Sequence, residues 1–198
     1  MTPLKLGMVG GGQGAFIGGV HRFAARLDGK WELVAGALSS DPERATSSAA
    51  DLGIAPDRSY TSYADMAIAE AARPDGIDAV AIVTPNHMHA GPTIAFLNAG
   101  ITVICDKPLA ATPEDAEAIR AAVEGAKAKF ILTHNYTGYP LMRQAREMIA
   151  HGDLGRLRVV QAEYAQDWLT EDTQNKQADW RTDPKRSGAG AIGDIGTH

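Results

Sequence analysis

The chain is 198 residues long, with 19 Lys and Arg against 24 Asp and Glu, a net charge of −5, and 44% hydrophobic residues. At about 150 residues per domain this makes one full domain plus a substantial extension, with enough apolar residues for a core and too few charges for disorder. The acidic balance, without a basic run, excludes nucleic acid as the main partner, and no stretch reaches the roughly 18 consecutive apolar residues of a membrane span.

The single cysteine, Cys105, and an N-terminus without a signal-peptide pattern read as a cytoplasmic, reducing setting. Leu4 to Val9 is a short apolar strand that runs into Gly10, Gly11 and Gly12, and a helical period follows from about Ile17 to Leu27. Trp31 to Leu38 is a second strand. Asp41 followed by Pro42 is an N-cap with proline at the first helical position, which starts a helix to Leu52. Tyr63 to Ala72 is a third helix. Ile77 to Val83 is almost wholly apolar, as a strand buried on both faces of a parallel sheet must be. His87 to Ala99 is helical and stops at Gly100. Ile101 to Cys105 is a strand, Thr112-Pro113 opens a helix to about Ala128, and Phe130 to Thr133 is a last short strand.

Alternating strands and helices with short connections predict a doubly wound α/β sheet over residues 1–133. The pattern then changes. Tyr139 to Ala150 is an amphipathic helix, Arg156 to Ala165 alternates like a half-buried strand, and the stretch to Arg186 is polar and irregular. One helix and one strand cannot enclose a core, so residues 134–198 are expected to begin a second α/β domain that the chain does not complete.

A strand that ends in glycines ahead of a helix presents backbone N–H groups to a pyrophosphate. The loop Gly10-Gly11-Gly12-Gln13-Gly14 lacks a literal G-x-G-x-x-G, so an ordinary glycine-rich turn stays open; Gly10, Gly12, Gln13, Phe16 and Ile17 are its candidate contacts. At the end of the second strand, Ser39 and Ser40 with Arg44 suit a 2′-phosphate, whereas Asp41 suits the ribose hydroxyls of NAD; the two remain undecided. Thr84-Pro85-Asn86-His87-Met88-His89 lies where ligands of open sheets bind, with Thr84, Pro85, Asn86 and His89 as candidates, although Asn86 can equally cap the next helix. Asp106-Lys107-Pro108 ends the following strand, with Lys107 either functional or a surface lysine. Asp194 and His198, four apart, share a helical face and can form an acid–imidazole pair or a solvated one. His21, His134 and His151 read as packing or surface residues, and Cys105 as a small buried one.

Taken together, GGGQGAFIGGVHR, TPNHMH, AGITVICDKPLA, GDLGRLRVVQAEY and WRTDPKRSGAGAIGDIGTH resemble, in order and over nearly the whole chain, the Gfo/Idh/MocA family of NAD(P)-dependent sugar and inositol oxidoreductases. The resemblance implies a Rossmann-type, doubly wound parallel sheet followed by a second α/β domain with a large open sheet that often mediates homo-oligomers. It implies that Lys107 contacts the substrate hydroxyl. His198, backed by Asp194, takes the hydroxyl proton as hydride passes between a secondary alcohol of a sugar, inositol or related polyol and NAD or NADP, with no metal. Asp106 stands where the family usually has glutamate and is counted with Lys107 among the cofactor contacts. The stretch after Asn135 lacks the arginines often found there, so the sugar is not implied. The family also continues well past the Asp194–His198 motif, so weak or no turnover is expected of these 198 residues alone. The alternative is a non-catalytic module that binds the nucleotide only.

Overall fold

The computed structural model describes residues 2–196 except 168, 175 and 189. The Leu4–Gly10 strand (β1) leads into the helix Phe16–Arg26 (α1), followed by Trp31–Ala37 (β2), Pro42–Asp51 (α2) and Tyr63–Ala72 (α3). Then come Ala79–Val83 (β3), Ala90–Asn98 (α4), Thr102–Asp106 (β4), Pro113–Gly125 (α5) and Phe130–Thr133 (β5). All four pairings are parallel and the order is β2-β1-β3-β4-β5. From β1 the chain winds first to β2 and then back across to β3. That reversal opens a crevice at the carboxyl ends of β1 and β3, where ligands of such sheets bind.

Side-chain alternation supplies two cores. Val80 and Ile82 of β3 and Val103 and Cys105 of β4 pack with Met66, Phe96 and Leu97 from α3 and α4. On the other face Leu6, Met8, Ala79 and Ala81 meet Ala49 of α2 and Ile17 and Ala25 of α1. The expected double winding is therefore present, with β3 buried along its whole length. Proline-marked helix starts are present as read: Asp41 accepts from the Arg44 backbone N–H, and Thr112 from that of Asp115. Burial pushes the Cys105 thiol up to about 12, which fits a packing role rather than a nucleophile.

A charged cluster lies inside this frame. The Glu70 carboxylate, wholly buried on α3, takes hydrogen bonds from Arg58 Nε (3.1 Å) and Tyr60 Oη (2.9 Å) and pairs with the Arg58 guanidinium. Burial, with the Glu70 carboxylate beside it, pushes the Tyr60 phenol up to about 12.

Beyond β5 the helix Pro140–His151 (α6) ends at Gly152, whose φ of 80° is the left-handed conformation of a helix stop. The expected strand over 156–165 is not formed: the segment has no assigned secondary structure, and Val159 and Val160 are 82% and 81% exposed. A strand needs a neighbour for its N–H and C=O groups, and among the described residues none lies beside this one. Three short helices follow, Lys176–Arg181 (α7), Pro184–Ser187 (α8) and Gly190–Asp194 (α9). Among the described residues no helix is long and apolar enough to cross a membrane.

Candidate active site

A cavity of about 1330 Å³ opens at the carboxyl ends of the strands and extends to α7 and α9. That exceeds the roughly 300–1,000 Å³ of ordinary single-ligand sites, which leaves room for a dinucleotide and a small second ligand.

The glycine loop forms one wall. Gly10 and Gly11 have φ of 79° and 74°, and a Cβ on Gly12 would lie 2.7 Å from both Leu38 O and Ser48 Oγ. Larger residues would therefore push the loop off β2 and α2. Asp41, Ser62 and Thr112 cap α2, α3 and α5 with their side chains, but α1 has Ala15 at its N-cap and no side-chain cap. The uncapped, electropositive end of α1 thus faces the cavity beside the glycines, with Phe16 and Ile17 in the lining. A pyrophosphate suits this wall. Gln13 also lines it, although its side-chain nitrogen is already engaged by Ser47 Oγ (2.8 Å) and Asp51 Oδ2 (2.7 Å).

At the end of β2, Ser39, Ser40 and Arg44 all line the cavity and Asp41 does not. The Asp41 carboxylate is turned back as the α2 cap, accepting from the Arg44 backbone N–H at 2.8 Å. Thr84, Pro85 and Asn86 line the next wall. Asn86 caps no helix: its Nδ2 donates to Ser187 O at 3.1 Å, across 101 positions of sequence.

His89, expected among the cofactor contacts, is not in the lining. It is buried, with Nδ1 2.8 Å from Pro108 O and Nε2 3.0 Å from Thr84 O. Burial lowers its pKa against the pull of those two carbonyls. The one-turn phase between Asn86 and His89 sends the imidazole inward, where it ties the loop after β3 to the loop after β4.

At the end of β4, Lys107 Nζ donates to Asp194 Oδ1 at 2.8 Å and to Asp194 O at 2.6 Å. The other carboxylate oxygen accepts from Arg181 Nε at 2.9 Å. Burial raises the Asp194 pKa, but the Lys107 and Arg181 cations outweigh it and hold the carboxyl below its ordinary range. Lys107 and Asp194 therefore meet inside the cavity; His198, the expected partner of both, lies outside the described residues.

Sequence reading missed several lining residues, among them His21, Arg181, Tyr136 and Tyr164. His21, read as a packing or surface residue, places Nε2 3.5 Å from Asp106 Oδ1, which also accepts from Thr133 Oγ1 at 2.8 Å. Burial raises the Asp106 pKa, and the His21 and Thr133 bonds reverse the shift, leaving it below the ordinary value. His21 follows Ile17 by one helical turn, so its phase on α1 was a usable signal. Arg181 had none, because only the tertiary fold brings α7 to Asp194. Tyr136 and Tyr164, with hydroxyl oxygens 2.8 Å apart, complete the wall next to Asn135. Among the described residues no group of three or more His, Cys, Asp or Glu is placed to hold a metal ion.

A glycine-walled crevice at the reversal of a parallel sheet, under an uncapped helix end, defines a dinucleotide-binding α/β domain. Residues 4–136 match the family model described as "Oxidoreductase family, NAD-binding Rossmann fold", and residues 142–198 match that of the "GFO/IDH/MocA C-terminal domain". The chain belongs to the Gfo/Idh/MocA oxidoreductase family. It is 58% identical to an oxidoreductase of Sinorhizobium meliloti whose crystal structure superposes with a TM-score of 0.81, covering 86% of this chain and 47% of that one. It is 40% identical to an inositol dehydrogenase homologue of Azotobacter vinelandii complexed with NADH and myo-inositol, with a TM-score of 0.90 over 100% of this chain and 50% of that one. Levoglucosan dehydrogenase of Pseudarthrobacter phenanthrenivorans is 34% identical over 205 residues, 100% of this chain and 50% of that enzyme. The chain spans about half the length of the curated relatives it matches.

Proposed function

We propose that this chain serves hydride transfer between a secondary alcohol of a sugar, inositol or related polyol and a nicotinamide dinucleotide. The observation that carries the reading is the meeting of Lys107 and Asp194, 87 positions apart, at 2.8 Å in the cavity that the glycine loop also lines. A module that only held the nucleotide would need neither residue there.

The bound nicotinamide supplies the hydride acceptor or donor. The rest is the work of the chain. Lys107 places an ammonium beside the reacting hydroxyl, where it favours developing negative charge on that oxygen. Asp194 and Arg181 fix where that ammonium points. His198, four residues after Asp194 in sequence, is the proposed base for the hydroxyl proton, with Asp194 setting its tautomer. At the far end, Ser39, Ser40 and Arg44 offer hydroxyls and a guanidinium, while Asp41 is turned away as a cap. This supports acceptance of NADP(H) as well as NAD(H). The domain division proposed is 1–133 for the dinucleotide and 134–198 for the start of the substrate side.

Fluorescence titration with NADH and NADPH, then cofactor reduction across a panel of polyols and sugars, tests the reading. Binding, with turnover that is weak in these 198 residues and that Lys107→Met abolishes, is the expected result. Binding without turnover on any member favours a nucleotide-binding module or an inactive fragment, and no binding by either nucleotide overturns the proposal.

A further inference from the structure

We propose that Asn86 is a positioning residue that couples nucleotide binding to the docking of α8, and through it to the placement of Asp194 on Lys107. The inference rests on the cofactor reading above. Asn86 lines the cavity yet is only 5% exposed. Its Nδ2 donates to Ser187 O, and no described residue donates to its Oδ1. A primary amide presents donors on one side and an acceptor on the other, so the two sides are oriented together. A nucleotide N–H or O–H that reaches Oδ1 from the cavity fixes the amide plane in the orientation that donates to Ser187.

The contact sits at the seam that carries Asp194. Next to it, His87 Nδ1 lies 3.3 Å from Arg186 O. Gly188, at φ 72°, approaches so closely that a Cβ there would lie 2.4 Å from Ala111 O. The turn 84–89 and the loop after Lys107 thus hold α8 between them, and α8 leads directly into α9 and Asp194. A ligand that sets one side of Asn86 biases the docking of the other, and the reverse holds equally.

Amide hydrogen exchange on the whole chain tests this, with nucleotide saturation verified by fluorescence. The reporters are the amides of Arg186, Ser187 and Gly188, which donate to Asp183 O, Asp183 O and Pro184 O. Saturating NADH or NADPH is expected to slow their exchange by about tenfold, within the usual range of coupling between sites. Asn86→Asp keeps an acceptor toward the cavity but removes the donor to Ser187, and its slowing should fall below about twofold at saturation. If the variant exchanges faster by the same factor with and without nucleotide, Asn86 is merely structural and the proposal fails. If wild type binds nucleotide with no change at 186–188, the proposal fails while the cofactor reading stands, whether or not the variant folds. Failure to bind either nucleotide overturns both.

Discussion

Asp194 holds one cation on each carboxylate oxygen, Lys107 at 2.8 Å and Arg181 at 2.9 Å. Asp194→Asn keeps the shape and one acceptor for Lys107 but turns an NH2 group toward Arg181, donor against donor. A hydrogen bond to a charged group contributes about 1.5–3 kcal/mol. With the Asp194 side chain 21% exposed and the Lys107 bond to Asp194 O retained, the loss should be about 2 kcal/mol. That corresponds to roughly a 30-fold larger population in which Arg181 is released. Trypsin cleavage after Arg181 reports that population when reclosing outruns cleavage, and cleavage after Arg120 on α5 is the internal control. The Arg181 site should be cut about 30-fold faster in the variant, with the Arg120 site unchanged. The pH dependence carries the same sign. Because the folded carboxyl lies below its ordinary value of 3.8, its contribution is present above that value and lost as pH falls through the depressed one. The wild-type advantage in thermal melts should therefore hold down to about pH 5 and shrink below about pH 4. A change of less than about threefold in cleavage would show the pair to be a water-screened contact of no energetic weight.

Two further outcomes follow from the same side-chain arrangement. Glu70→Gln leaves the buried Arg58 guanidinium with only the half-exposed Asp75 carboxylate, 3.7 Å away, as counter-charge, which puts the loss at the lower end of that for a broken buried pair, about 3 kcal/mol. At about 2–4 °C per kcal/mol the melting temperature by circular dichroism should fall by roughly 10 °C, and a shift under about 2 °C would refute the reasoning. Ser39→Asp places a carboxylate where a 2′-phosphate would lie, and the NADPH-to-NADH dissociation-constant ratio should rise by about tenfold or more. An unchanged ratio would remove Ser39 from the ribose end.

The sheet was legible because its signals are local. The all-apolar β3, the Asp41-Pro42 and Thr112-Pro113 helix starts and the Gly100 stop each depend on a few adjacent residues, and each is realised. Segment 156–165 failed for the opposite reason. Alternation says which faces a strand would have, but pairing depends on a neighbour that no local pattern supplies. The site divides in the same way. Loop residues at strand ends, from Gly10 to Lys107, could be placed from topology alone. Arg181, Tyr136 and Tyr164 reach the cavity only through the path of the second region. His89 was misplaced because proximity to Asn86 in sequence says little about which way a side chain points after a helical turn.

All five strands run the same way, so every strand-end loop gathers on one rim while the buried residues lie below it. Durability and selectivity are thereby assigned to different parts of the molecule. Exchanges at Tyr136 or Tyr164 can reshape the cavity wall without disturbing Phe96 or Val80 beneath. Such a layout lets one scaffold change its ligands by edits confined to its upper edge.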